Sequence, residues 1–175
     1  MILLSGHTLN AEKILPVTAQ SLTLNERQSA TEITVDDVSG VGIKSWMRDD
    51  KAPGRGIIWR VASMGMNFFT NTPTVKLEHI VNTLKDTIVF GSVEAKDITG
   101  NENDLECTAV QALNYVLSKQ SIWTLGDLDN NPSNAYKFNG DTVFSCLEQI
   151  SDTMGDVIWE YDLSRLPFRI SFRHF

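Results

Sequence analysis

The chain changes its period once. Up to about residue 81, apolar and polar positions alternate in twos. Leu22 and Leu24, then Ile33 and Val35, then Ile57, Trp59 and Val61 within GIIWRVASM each point one way with other residues between them, the pattern of half-buried strands. Turn signals separate these runs, Ser39-Gly40 first and then RDDKAPGRG from 48 to 56. In PTVKLEHIV one parity is Val75, Leu77, His79 and Val81, and the other is Thr74, Lys76, Glu78 and Ile80. A histidine therefore shares a face with three aliphatic side chains, and the alternation stops at Asn82-Thr83.

Beyond that break the spacing becomes helical. Thr108-Ala-Val-Gln111 has the form of a capping box, in which the threonine hydroxyl accepts one orphan amide and the glutamine reaches back to another. Val110, Leu113, Val116 and Leu117 follow as an apolar stripe that must pack on something. Asp141 is read as the cap of a second helix, TVFSCLEQISDTMG, with Val143, Leu147, Ile150 and Met154 on one face and Gly155 as its left-handed terminator. The chain then returns to strand: Phe168, Ile170 and Phe172 alternate with Arg169, Ser171 and Arg173. This last strand is expected to pair back with the early β-unit or to lead into more protein. KDITGNEND, 96 to 104, is the nearest thing to a linker. Strand first, two helices next and strand again predict an α+β chain with the helical part inserted.

Composition narrows the function classes. Apolar residues make up 42% of the 175, a globular proportion, and no run approaches the roughly 20 apolar residues a bilayer-spanning helix needs. MILLSGH has no basic n-region and no small-residue cleavage site, so it reads as a first strand rather than a signal peptide. Net charge is −7, with 22 acidic against 15 basic residues. Binding to nucleic acid through its phosphates needs the opposite sign. An acidic surface suits a soluble assembly, or a conduit through which DNA slides without sticking. Cys107 and Cys146 lie among residues that read as core or helix, which predicts two buried free thiols and folding in a reducing cytosol.

Candidate chemistry is thin. His79 has no second histidine, cysteine or carboxylate in register, so it reads as a structural hydrogen-bonder, while His7 and His174 stand at the two ends of the chain. Asp127-Leu-Asp129-Asn-Asn131 begins like a calcium loop, but Pro132 stands where glycine must allow the turn, and Phe138 where a bidentate glutamate is required. It reads as a polar turn. Gly54-Arg55-Gly56 leads into a strand, so it offers phosphates no helix N-terminus. Asp36-Asp37 and Asp49-Asp50 are sequence neighbours that point to opposite faces of a strand, hence solvated turn residues rather than paired carboxylates. No nucleophile elbow, zinc-protease helix or Cys-His-Asn set can be assembled. The expectation is a protein without catalytic residues, metal or cofactor.

Several blocks together carry a resemblance. SWMRDDKAPGRGIIWRVASM (45 to 64), TVKLEHIVNTLKDTIVFG (74 to 91), QSIWTLG (120 to 126), YKFNGDTVFSCLEQIS (136 to 151) and DVIWEYDLSRLPFRISF (156 to 172) resemble the N-terminal region of phage minor structural proteins, the tail-associated proteins of siphophages and prophages. The resemblance runs from about residue 45 onward, and the first 40 residues share it only loosely. It implies a fold similar to the central hub of contractile-tail baseplates: a tube-like antiparallel β-barrel, here 1–90 plus 166–175, with an inserted α+β subdomain, here 91–165, containing two helices. It also implies three chains in a ring that closes the distal end of the tail tube.

Such members continue into a second barrel and often a cell-wall hydrolase. Three of them supply six barrel modules, whereas three copies of this chain supply three. On this reading the protein is a non-enzymatic component of a virion tail tip, made in the bacterial cytoplasm. It meets distal tail and tail-tube proteins, lets DNA pass through a lumen, and touches no membrane. Trp46, the loop from Arg48 to Arg55, and the edge strand with Phe168, Arg169 and Arg173 are the expected assembly contacts. Two alternatives stand beside it. One is a carbohydrate-binding tail-tip module, which needs exposed coplanar aromatics such as Trp46 and Trp123. The other is the N-terminal part of a tail-associated peptidase whose catalytic region is absent. The hub reading depends on the early strands and the final Phe-Ile-Phe strand curling into one closed sheet.

Overall fold

The computed structural model describes residues 1–15, 17–24, 29–49 and 57–175, which fall into two compact units. The first is Met1–Asn82 with Leu163–Leu166, and the second is Thr83–Asp162 with Pro167–Phe175. They divide between Asn82 and Thr83, inside a 3₁₀ turn over Ile80–Lys85, where the alternation of the sequence stops.

Seven strands make the first unit: β1 (Ile2–Leu4), β2 (Ala11–Ile14), β3 (Val17–Leu24), β4 (Ser29–Val35), β5 (Trp46–Arg48), β6 (Ile58–Asn67) and β7 (Thr72–His79). They form one sheet in the order β2-β1-β5-β6-β7-β4-β3, with every ladder antiparallel. Alternation does what the sequence predicts. Ile33, Val35, Trp59, Val61, Val75 and Leu77 all turn inward and are buried, together with Leu3, Leu15 and Met47.

The sheet is rolled, and chain connectivity requires it. In a flat sheet the two edge strands, β2 and β3, would lie six spacings apart, about 29 Å at the usual interstrand distance. Yet Ile14 ends one and Val17 begins the other, and three Cα steps reach at most about 11 Å. Among the described residues no ladder joins β2 to β3, so the two edges are brought close without being zipped.

The second unit is mixed. Its strands are β8 (Ser92–Glu94), β9 (Cys107–Thr108), β10 (Trp123–Leu128), β11 (Ser133–Asn134), β12 (Lys137–Asn139), β13 (Val157–Asp162) and β14 (Phe168–His174). Its helices are α1 (Ala95–Thr99), α2 (Ala109–Leu117) and α3 (Val143–Asp152). The main sheet is β10-β14-β13, parallel on one side of β14 and antiparallel on the other, and β9 with β11 and β8 with β12 form two short ladders. The capping box starts α2 as read: Gln111 N donates to Thr108 Oγ1 at 3.3 Å, and Thr108 N donates to Gln111 Oε1 at 2.9 Å. Leu113, Val116, Leu117, Val143, Leu147, Ile150 and Met154 are buried, as both stripes predicted, whereas Val110 is half-buried.

Four expectations are corrected. The last strand does not join the early sheet; β14 is the central strand of the second unit. Its partner β13 ends at Asp162, only a few residues upstream, so pairing there closes a short loop, and Phe168, Ile170 and Phe172 bury completely within the second unit. Accordingly the units do not divide as 1–90 plus 166–175 against 91–165. The region read as a linker holds a third helix, α1, begun by Glu94 N donating to Asp97 Oδ2 at 2.8 Å and ended by Gly100 at φ 77°. Finally, the cap of α3 is Thr142, whose hydroxyl accepts from Ser145 N at 3.1 Å, while Asp141 accepts from Asn139 N one turn earlier.

Candidate functional site

The residues expected to make assembly contacts are divided between the two units, Trp46 and Arg48 in the first and Phe168, Arg169 and Arg173 in the second. Trp46, on β5, is 1% exposed, and its indole stacks on the His7 ring at 5.0 Å between centroids. It offers no surface to a partner. Arg48 is half-buried at the end of the same strand, between Ile2 and Ile58 in the ladders. Arg55 and the Gly54-Arg55-Gly56 turn lie outside the described residues. Phe168 is core, 5.3 Å from Trp123 between ring centroids, whereas Arg169 is exposed, level with Thr124 on β10 and Asp162 on β13.

Arg173 is occupied within its own unit. Its guanidinium bonds Asp129 Oδ1 at 2.9 Å through Nη1 and Asp127 Oδ2 through Nη2, with Glu160 at 3.7 Å. The polar turn that opens like a calcium loop thus holds a guanidinium. The Arg173 hydrogen bond, followed by the amide of His174 donating at 3.0 Å, keeps the Asp129 carboxyl below the usual carboxylate range. The fork ties β14 to the strand end after β10.

A tryptophan platform for sugars is overturned. Trp46, Trp59, Trp123 and Trp159 are all buried. Trp123 sits edge-on to Tyr161 and Phe168, and its indole N–H donates to Thr83 Oγ1 at 2.9 Å. Buried tryptophans are core material and present no face to a glycan.

His79 is buried at the end of β7, opposite Trp59 in the ladder, with the two rings edge to face at 6.3 Å. Its Nδ1 accepts from Val81 N at 3.1 Å, which steers the chain out of the strand into the 3₁₀ turn. Burial lowers its pKa to about 4, so it is neutral at pH 7 and keeps Nδ1 as an acceptor. This is the structural hydrogen-bonder that the sequence predicts. Both cysteines are buried free thiols. Burial pushes the Cys146 thiol up to about 12 and raises that of Cys107, so neither is a ready thiolate at neutral pH. Among the described residues no three His, Cys, Asp or Glu side chains converge to hold a metal.

One surface feature was not read from the sequence. The β6–β7 hairpin runs on past its neighbours to a turn at which Phe68 is 92% and Phe69 102% exposed, with Met64 and Met66 partly exposed behind them. Asn67 Oδ1 accepts from Phe69 N at 3.0 Å and from Thr70 N at 3.3 Å, so the turn is ordered by its own side chain. The signal was available: from Val61 to Val75 there is no charged residue.

No family model and no curated protein matches the sequence. Among solved structures the chain is similar to the crystal structure of the tail protein from Neisseria meningitidis MC58, with a TM-score of 0.53 and 13% identity over 87% of this chain. The chain spans 44% of that protein. At this identity the likeness is one of fold, and it covers most of the chain. No helix among the described residues is long and apolar enough to cross a membrane.

Proposed function

We propose that the protein is a structural component of a phage or prophage tail tip, of the baseplate-hub kind, which closes or extends the distal tail tube by contact with neighbouring tail proteins. The observation that carries this reading is the fold likeness to a tail protein over 87% of the chain. The rolled antiparallel sheet supports it, because its two edges already approach as in a barrel; its interior is filled by core side chains, so a lumen for DNA would lie between the subunits of a ring. The closed sheet that was to include the final strand does not form, since β14 belongs to the second unit, so the reading rests on the fold likeness and the rolled early sheet alone.

On this reading the work is geometric and non-enzymatic. Exposed Arg169 and half-buried Arg48 are the expected assembly residues that still have surface to offer, and the net charge of −7 disfavours adhesion of DNA passing through a lumen. The test is light scattering of the 175-residue chain with and without the distal tail protein encoded beside it. A ring or a stable complex with that neighbour is expected. A chain indifferent to it contradicts the reading.

A further inference from the structure

Past Val61, β6 loses the neighbour on one side. β5 pairs with it only from Trp46↔Arg60 to Arg48↔Ile58, and Lys44 and Ser45 still bond to Val61. From Ser63 to Asn67 the described residues place a ladder on the β7 side alone. Among the described residues the row of amides and carbonyls on the other side has no ladder partner. A bare edge of this kind templates pairing with another chain, and natural sheets blunt it with proline or charge. The β7 edge is blunted: its ladder with β4 ends at Thr34↔Thr74, and the next residue toward the tip is Pro73. The β6 edge is bare, since Ser63-Met64-Gly65-Met66-Asn67 contains neither proline nor charge.

We propose that Ser63–Asn67 pairs with the same segment of a second copy of this chain, antiparallel about a two-fold axis at Gly65. Each copy carries a net charge of −7, so two copies repel over most of their surfaces and approach at least cost where charge is absent, as it is from Val61 to Val75. Self-complementarity and apolar area favour a second copy over another occupant. Pairing centred on Gly65 sets Met64 of one copy opposite Met66 of the other and the reverse, which is the self-complementarity an isologous contact demands. It also carries the Phe68 tip toward Ala62 of the second copy, beside the segment with Ile43, which is 65% exposed. Met64, Met66, Phe68 and Phe69 of two copies offer on the order of 1,000 Å² of apolar surface, the size at which specific interfaces begin.

Deep insertion of this edge into a bilayer is disfavoured by the same open row, because unpaired backbone groups are not tolerated in hydrocarbon. The pairing does not depend on the tail reading, and either can fail without the other.

The test is light scattering of the 175-residue chain over a range of concentrations, with circular dichroism to verify the fold of each variant. A concentration-dependent dimer is expected, weakened at least tenfold by M64K/M66K and unchanged by E102K, at an exposed residue of the second unit. Gly65→Cys supplies the second readout. Residues opposed across an antiparallel pair lie about 4.5–5.5 Å apart at Cα, within disulfide range, so oxidation is expected to yield a covalent dimer. A chain that stays monomeric throughout overturns the proposal, as does a dimer indifferent to M64K/M66K. Co-sedimentation of a monomer with phosphatidylcholine vesicles, abolished by F68S, overturns it in favour of a lipid partner.

Discussion

Lys13 on the edge strand β2 and Asp37, two residues past the end of β4, form an ion pair at 2.9 Å, although five strand spacings separate β2 from β4 along the sheet. Lys13 Nζ also donates to Ser39 O at 3.0 Å. The pair reports directly on the roll, because a flat sheet would hold those two strands about 24 Å apart. The Lys13 hydrogen bond, with those from Ser39, holds the Asp37 carboxyl well below the usual carboxylate range. Lys13→Met is expected to speed amide exchange in β2 while leaving the melting temperature nearly unchanged, since exposed pairs contribute little to global stability. Hydrogen exchange read by mass spectrometry checks this.

His79 makes stability depend on pH. Its pKa is about 4 in the folded chain against an ordinary 6.5, so the unfolded chain binds the extra proton first as pH falls. The contribution is fully present above about pH 6.5 and is lost progressively as pH falls to about 4. That difference corresponds to roughly 3 kcal/mol. Urea denaturation at pH 7.5 and at pH 5 is expected to show the loss in the native chain, and His79→Gln is expected to flatten the pH dependence within that window.

Much of the local structure was legible because its causes are local. Two-residue alternation identified the buried faces of β4, β6 and β7, and a four-residue capping box located the start of α2. Strand partnership was not legible. Nothing in Phe168-Arg-Ile-Ser-Phe172 distinguishes an edge of the early sheet from the centre of a sheet built with β10 and β13; the decision lies with loop closure and with apolar surface supplied elsewhere in the chain. The burial of Trp46 was not legible for a related reason. A three-residue strand is too short to display alternation, and its burial depends on β1, β6 and His7. Phe68 and Phe69 were legible in composition, as the apolar centre of an uncharged stretch, but their exposure depends on how far the hairpin outruns β4 and β5.

Gly126 is fixed by a close approach. A Cβ there would run into Ser171 Oγ, with Ile170 O at 3.3 Å, while Ser171 Oγ accepts from Asp127 N at 3.0 Å. Gly126→Ala is expected to cost about 1–3 kcal/mol, the usual range for overpacking. Combining it with Ser171→Ala is expected to recover part of that loss, and a double-mutant cycle by chemical denaturation measures the coupling.

Arg173 clasps the end of β14 to Asp127 and Asp129. Arg173→Met removes the fork and leaves two carboxylates facing one another without their cation. Faster amide exchange at His174, whose N–H donates to Asp129, and a salt-sensitive fall in melting temperature are expected. A core truncation such as Phe172→Ala, which opens a cavity at a fully buried side chain, is expected to cost more, about 3–5 kcal/mol.

The central claim, a place at the distal end of a phage tail, is tested most directly by locating the chain in the particle. Tails purified from the phage or prophage that encodes it, labelled with gold through an affinity tag on this protein and imaged by electron microscopy, are predicted to carry label at the tip remote from the head. Label along the tube or at the head, or particles that assemble and eject DNA normally when the chain is deleted, would contradict the account.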